Sequence, residues 1–146
     1  MILTNHYIGG CYMIEDIRKI KQVIILRKDL NMRKGKMVAQ GAHASMAAII
    51  NRGGIKHRES TSLVINMTPE MKEWLNGGHA KICVGCNSEE ELIKLYEQAG
   101  KAGLLCSLIQ DAGHTEFSGV PTYTAVAIGP AKAEDVDKVT GDLKLL

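Results

Sequence analysis

The four residues Val23-Ile24-Ile25-Leu26 are all apolar, and charge stands on both sides of them, at Lys21 and at Arg27-Lys28-Asp29. A run this short, uniformly apolar and rich in β-branched residues suits a strand buried on both faces. Such a strand needs cover above and below. After a turn marked by Asp29 and Asn31, the stretch 34–50 supplies the first cover. It contains Gly35, Ala39, Gly41, Ala42, Ala44, Ala47 and Ala48, with Met and Ile spaced to form an apolar stripe, and is expected to be a helix lying close on a sheet. Asn51-Arg52-Gly53-Gly54 would end it.

The rest of the chain repeats the alternation. Thr68-Pro69-Glu70 reads as a helix start, with Thr as N-cap, Pro in the first turn and an acid at the positive end of the dipole. Asn76-Gly77-Gly78 closes that helix, and Ala80 to Val84 reads as a strand. Ser88-Glu89-Glu90-Glu91 is a capping box, followed by Leu92, Leu95, Tyr96 and Ala99 at helical spacing up to Gly100 or Gly103. Leu104 to Ile109 and Tyr123 to Ile128 read as strands, and Pro130 precedes a last helix running to about Val139 and stopped by Gly141. Leu63-Val64-Ile65 fits a short strand or a loop equally well. Alternating elements give an α/β fold. The last two strands are joined by a loop without a helix, which disfavours a parallel crossover and makes a mixed sheet the expectation.

At 146 residues the chain fits one domain. Residues 1–20 are expected to be an N-terminal extension, broken at Gly9-Gly10, with the domain over 21–146. The start lacks the pattern of a signal peptide and no apolar run is long enough for a bilayer, so a soluble, intracellular protein is expected. Net charge is only +2, but it is unevenly spread. From Arg18 to Lys36 there are eight basic residues against the single acid Asp29, a local charge of +7 that leaves −5 for the remainder. Basic charge concentrated this way is the footprint of phosphate contacts, although a merely solvated basic surface would look the same. Six aromatic residues are too few for a nucleic-acid binder built on stacking platforms.

Three groupings could carry chemistry. Lys36, Gln40 and His43 share one face of the first helix at about 100° per residue. A cation, an amide and an imidazole on an Ala-rich helix could hold a phosphate and a reacting oxygen, or could be an exposed polar stripe. Arg33 and Lys34 stand at that helix's N-terminus, where the dipole favours an anion. The second grouping, Asp111-Ala112-Gly113-His114-Thr115-Glu116, follows a buried strand, where α/β folds place ligands. Asp, His and Thr there could position water and accept a proton, or Asp111 could simply close a turn over Gly113. The third is Cys83-Val84-Gly85-Cys86, which could bind zinc or cycle as a disulfide. No second pair exists to complete a structural zinc site, and packed thiols at a strand end are the better reading. Arg33-Lys34-Gly35-Lys36 lacks the spacing of a phosphate-binding loop, there is no Gly-x-Ser-x-Gly elbow, and Ser45 is too close to His43 along the helix to share its face.

These residues resemble those of a known family. The run from Lys21 to Leu30, continuing through Met32, Lys34-Gly35-Lys36, Ala39-Gln40 and Ala42-His43-Ala44, is similar to the opening of type 2 peptidyl-tRNA hydrolases, the archaeal and eukaryotic type. The likeness resumes at Lys81-Ile82 and Ser88 to Leu92. It is strongest at Asp111-Ala112-Gly113 with Thr115, then at Thr124, Ile128-Gly129-Pro130 and Val139 to Leu146. It spans 21–50 and 80–146, several motifs in the right order. Three departures stand out: His114 where the family often carries Arg or Lys, Arg33 for a common Gly, and Gly41 for a common Cys or Val. The loop before Thr124 is slightly longer, which leaves Thr122 and Thr124 as alternatives for one position.

The resemblance implies a three-layer α/β/α sandwich around a mixed sheet, a homodimer, a cytoplasmic setting, and no metal or organic cofactor. It implies hydrolysis of the ester between a peptidyl group and the 3′-terminal ribose of tRNA, with the acceptor end of peptidyl-tRNA as partner. Its functional positions fall on Lys36, His43, Asp111, Thr115 and Thr124. On that basis Asp111 and His43 are expected to activate water as a pair and Lys36 to stabilise negative charge, with Thr115 and Thr124 orienting water or the carbonyl. Arg27, Arg33, Lys34, Gln40 and His114 are the expected tRNA contacts. Two alternatives belong to other classes: an RNA-binding module without catalysis, and a small zinc or thiol-redox protein using Cys83 and Cys86.

Overall fold

The computed structural model describes residues 19–50 and 63–146. The expected extension therefore lies outside the described residues except for Lys19 and Ile20, and so does the sequence 51–54 expected to end the first helix. In chain order the elements are β1 (Ile20–Arg27), α1 (Lys34–Ile50), α2 (Pro69–Asn76), β2 (Lys81–Cys86), α3 (Glu89–Lys101), β3 (Cys106–Asp111), β4 (Thr122–Lys132) and α4 (Ala133–Thr140). Leu63-Val64-Ile65 forms no strand.

The sheet order is β2-β1-β4-β3. β1 runs parallel to β2, across the α1–α2 connection, and antiparallel to β4, which in turn is antiparallel to β3. The sheet is thus mixed, because the helix-free link between β3 and β4 permits only an antiparallel return. Residues 144–146 lie along the outer edge of β2: Lys144 O accepts from Gly85 N and Leu146 N donates to Cys83 O, which blunts an otherwise free edge.

β1 is buried on both faces, as its composition demands. Val23 and Ile25 point to one side with Val84, Val126 and Ile128, against Leu92, Leu95 and Ala99 of α3 and Val136 of α4. Ile24 and Leu26 point to the other side with Ala125 and Ala127, against Met32 and against Ala44 and Ala48 of α1. α2 joins this second layer, with Met71 and Trp74 buried and Trp74 Nε1 donating to Ala80 O at 2.9 Å. The two layers differ in side-chain size. On the α1 side, alanines of β4 meet alanines of the helix, so α1 lies close on the sheet and its polar side chains reach the strand ends.

Two buried polar contacts fix that seating. Ser45 Oγ donates to Gln22 Oε1 at 2.6 Å, while Gln22 Nε2 donates to the carbonyls of Gly129 and Ser45. Ser107 Oγ of β3 donates to Ala44 O at 2.7 Å. Ile25, fully buried at the centre of the sheet between Val84 and Val126, anchors the opposite layer. Ile25→Ala is expected to cost about 2–5 kcal/mol of stability, read from the denaturant midpoint of unfolding.

The helix starts follow the sequence signals. Thr68 Oγ1 accepts from Met71 N at 3.1 Å and Ser88 Oγ from Glu91 N at 3.1 Å. The capping box closes one residue early, since the Glu91 carboxylate accepts from Asn87 N, before Ser88. Pro130 departs from expectation. It does not precede the last helix directly but lies inside β4, after a cis peptide bond from Gly129. Beyond it Ala131 and Lys132 continue to pair with Lys21 and Ile20, and α4 begins only at Ala133.

Candidate functional site

β1 and β3 end on the same side of the sheet, and the first turns of α1 pass over those ends. Asp111 is the last residue of β3 and Thr124 lies near the start of β4. Lys36 Nζ donates to Asp111 Oδ2 at 2.6 Å and to Thr115 Oγ1 at 2.9 Å. Gln40 Nε2 donates to the same Asp111 oxygen at 2.8 Å, and Asp111 Oδ1 accepts from Gly113 N at 2.8 Å. Behind them the fully buried Thr124 hydroxyl donates to Gln40 Oε1 at 2.5 Å, which sets the amide's NH₂ end towards Asp111. Thr122, the alternative at this position, turns its hydroxyl to Val120 O instead.

The electrostatics follow from these contacts. The Lys36 ammonium holds the Asp111 carboxyl below its ordinary range, with help from Gly113 N–H and Gln40 and against the opposing effect of burial. Asp111 is therefore an anion throughout the neutral range. Its folded pKa is depressed, so the stability it contributes is present above about pH 4 and is lost as pH falls through the folded value. Lys36 has three N–H groups, and Asp111 and Thr115 take two. Among the described residues the third has no hydrogen-bond partner. The ring of Phe117 lies 5.4 Å from Nζ and flanks the ammonium.

His43 is exposed on the next turn of α1. It lines a shallow depression of about 370 Å³ with Gln40, Ala47, Ile109, Gln110, Asp111 and Ala112. Among the described residues no hydrogen bond joins His43 to Asp111 directly, although both line this depression; both Asp111 oxygens are engaged by Lys36, Gln40 and Gly113. The Asp111 loop is shaped by Gly113, whose φ is +84° and where a Cβ would run into the backbone of Val120.

Two of the expected tRNA contacts are internal. Arg27 is buried, with Nε and Nη2 donating to Asp29 and Nη1 donating to Glu89 and to Tyr123 O. It braces the end of β1 and is not presented to a phosphate; Asp29 raises its pKa further. Gln40 is 2% exposed and serves as the strut between Thr124 and Asp111. Arg33, Lys34 and His114 are exposed. Arg33 forms an ion pair with Glu116, Nε to Oε1 at 2.7 Å. Sequence spacing placed Glu116 in the loop but gave no signal of this partner, nor of Phe117 beside Lys36.

The Cys83-x-x-Cys86 pair does not converge. Residues three apart on a strand face opposite sides, and β2 exposes Cys83 while burying Cys86 in the core. Burial pushes the Cys86 thiol up to about 11, the opposite of a metal-binding or reactive thiolate. Alkylation at mildly basic pH should reach Cys83 well before Cys86, which peptide mapping of the modified chain would read; equal rates would contradict this burial. Among the described residues no helix is long and apolar enough to cross a membrane.

Comparison with known proteins bears on this arrangement. The family profile described as Peptidyl-tRNA hydrolase PTH2 matches residues 20–146. A Peptidyl-tRNA hydrolase of Methanocaldococcus jannaschii is 48% identical over 127 residues, covering 87% of this chain and 100% of the relative. Peptidyl-tRNA hydrolases of Methanopyrus kandleri and Haloquadratum walsbyi are 42% and 39% identical over 126 residues, covering 86% of this chain and 97% and 99% of those relatives. A solved structure of a protein of unknown function from Agrobacterium shares the fold with a TM-score of 0.54 at 16% identity, covering 88% of this chain and 98% of its own.

Proposed function

This chain belongs to the peptidyl-tRNA hydrolase PTH2 family, and from that premise we propose how the Lys36–Asp111 cluster carries out its reaction. The activity is that of a peptidyl-tRNA hydrolase: water adds to the peptidyl carbonyl, the ester C–O bond breaks, and the ribose 3′ oxygen leaves as a hydroxyl. The observation that carries the assignment is the Lys36 ammonium, bridged to Asp111 and Thr115 with one N–H unpaired among the described residues, next to the depression lined by His43.

In this reading the spare Lys36 N–H stabilises the tetrahedral oxyanion. His43 takes a proton from the attacking water and returns it to the departing ribose oxygen as general base and then general acid. Asp111 is too weak a base for that step, because Lys36 depresses its pKa; it holds Lys36 in place. Thr115 accepts from Lys36, so its own hydroxyl hydrogen is available to water or substrate. Gln40 and Thr124 are positioning residues behind Asp111. Lys34 and His114 meet the acceptor-end phosphates. The family resemblance supports action in the cytoplasm as a homodimer, and light scattering of the purified chain tests the latter.

The deciding experiment is a direct assay of peptidyl-tRNA and aminoacyl-tRNA side by side. Release of free tRNA from the first is the expected result. An intact, folded chain that binds peptidyl-tRNA without cleaving it would overturn the reading.

A further inference from the structure

We propose that Glu116 is a positioning residue for this reaction, acting with Arg33 to hold Thr115 against Lys36; the inference rests on the hydrolase reading above. Thr115 and Glu116 are neighbours in the loop after β3, while Arg33 and Lys36 are three residues apart at the start of α1. The ion pair Arg33–Glu116 and the hydrogen bond Lys36–Thr115 therefore form two adjacent rungs between the same helix end and the same loop. One Glu116 oxygen accepts from Arg33 Nε at 2.7 Å and the other faces Arg33 N at 3.4 Å, so the carboxylate grips both side chain and backbone.

The loop is braced from within. Phe117 N and Gly119 N both donate to Gly113 O, and Val120 N donates to Phe117 O. Its internal bonds fix its shape but not its distance from α1. Among the described residues, the hydrogen bonds that Thr115 accepts from Lys36 and Glu116 from Arg33 tie it to the helix start. The exposures suit this role: the Glu116 side chain is 14% exposed, and Arg33, at 79%, reaches in over it from solvent. An enclosed carboxylate beside a site that receives a polyanion opposes binding, which makes its service structural and sets the sign of the test.

The test measures kcat and KM on peptidyl-tRNA for Glu116→Ala, Glu116→Gln, Arg33→Ala and the double variant Arg33→Ala/Glu116→Ala, with thermal unfolding used to correct for folded fraction. Glu116→Ala should lower kcat by about three- to tenfold, since the pair is partly exposed yet sets the placement of a reacting group. KM should stay level or fall. Glu116→Gln, whose amide oxygen still accepts from Arg33, should recover most of kcat. Arg33→Ala should lower kcat similarly, and the double variant should be no worse than either single change. Wild-type kcat in Glu116→Ala, no rescue by Gln, or additive losses would each overturn the proposal. If the unaltered chain does not cleave peptidyl-tRNA at all, the hydrolase reading itself fails; activity in that chain with an unaffected Glu116→Ala variant defeats only this inference.

Discussion

Replacing Lys36 by Met is expected to lower kcat for peptidyl-tRNA by about 10²–10³-fold, the usual loss when one preorganised donor to an oxyanion is removed. The methionine keeps the apolar stem beside Phe117, so packing is largely preserved while the ammonium is lost. Asp111 would retain Gln40 and Gly113 as donors, and the fold should stay intact. Lys36→Arg should recover little. Its guanidinium is planar and bulkier, and two of its hydrogen bonds would have to match oxygens that now sit 2.6 and 2.9 Å from a single nitrogen. Steady-state kinetics at saturating tRNA separates this effect from a change in binding. Undiminished kcat in a folded Lys36→Met variant would remove the ammonium from the reaction.

Substituting Gln for His43 should lower kcat by about 10²-fold or more, because the attacking water then lacks a base to take its proton. Asp111 does not replace it: Lys36 holds its carboxyl below its ordinary range, and Lys36, Gln40 and Gly113 engage both of its oxygens. Steady-state kinetics on peptidyl-tRNA reads the loss, and a folded variant with full activity would remove His43 from proton transfer.

Much of the fold was legible because local signals and burial agree. The apolar run at Val23–Leu26 admitted only a doubly covered strand, and the small residues over 34–50 gave α1 both its bounds and its close seat on the sheet. The caps at Thr68 and Ser88 named their helix starts. Pro130 misled because proline reads locally as a helix opener, whereas the strand continues through it to pair with Ile20 and Lys21, residues more than a hundred positions away.

For the site, helical spacing alone put Lys36 and Gln40 on one face, and a strand's end put Asp111 where a ligand would sit. Which side chains share a hydrogen bond is a different kind of information, fixed by how α1 lies across β3 and β4. That seating turned Gln40 inward between Thr124 and Asp111 and left His43 exposed beside the depression. It also revised the meaning of the basic segment. Lys21, Arg27, Arg33 and Lys36 are met by Asp137, Asp29 with Glu89, Glu116 and Asp111, most of them distant in sequence. The sequence determined that positive charge runs into a helix carrying reactive groups. Only the tertiary structure decided which of those charges are met within the protein, because an ion pair depends on distance in space and composition counts only the ions.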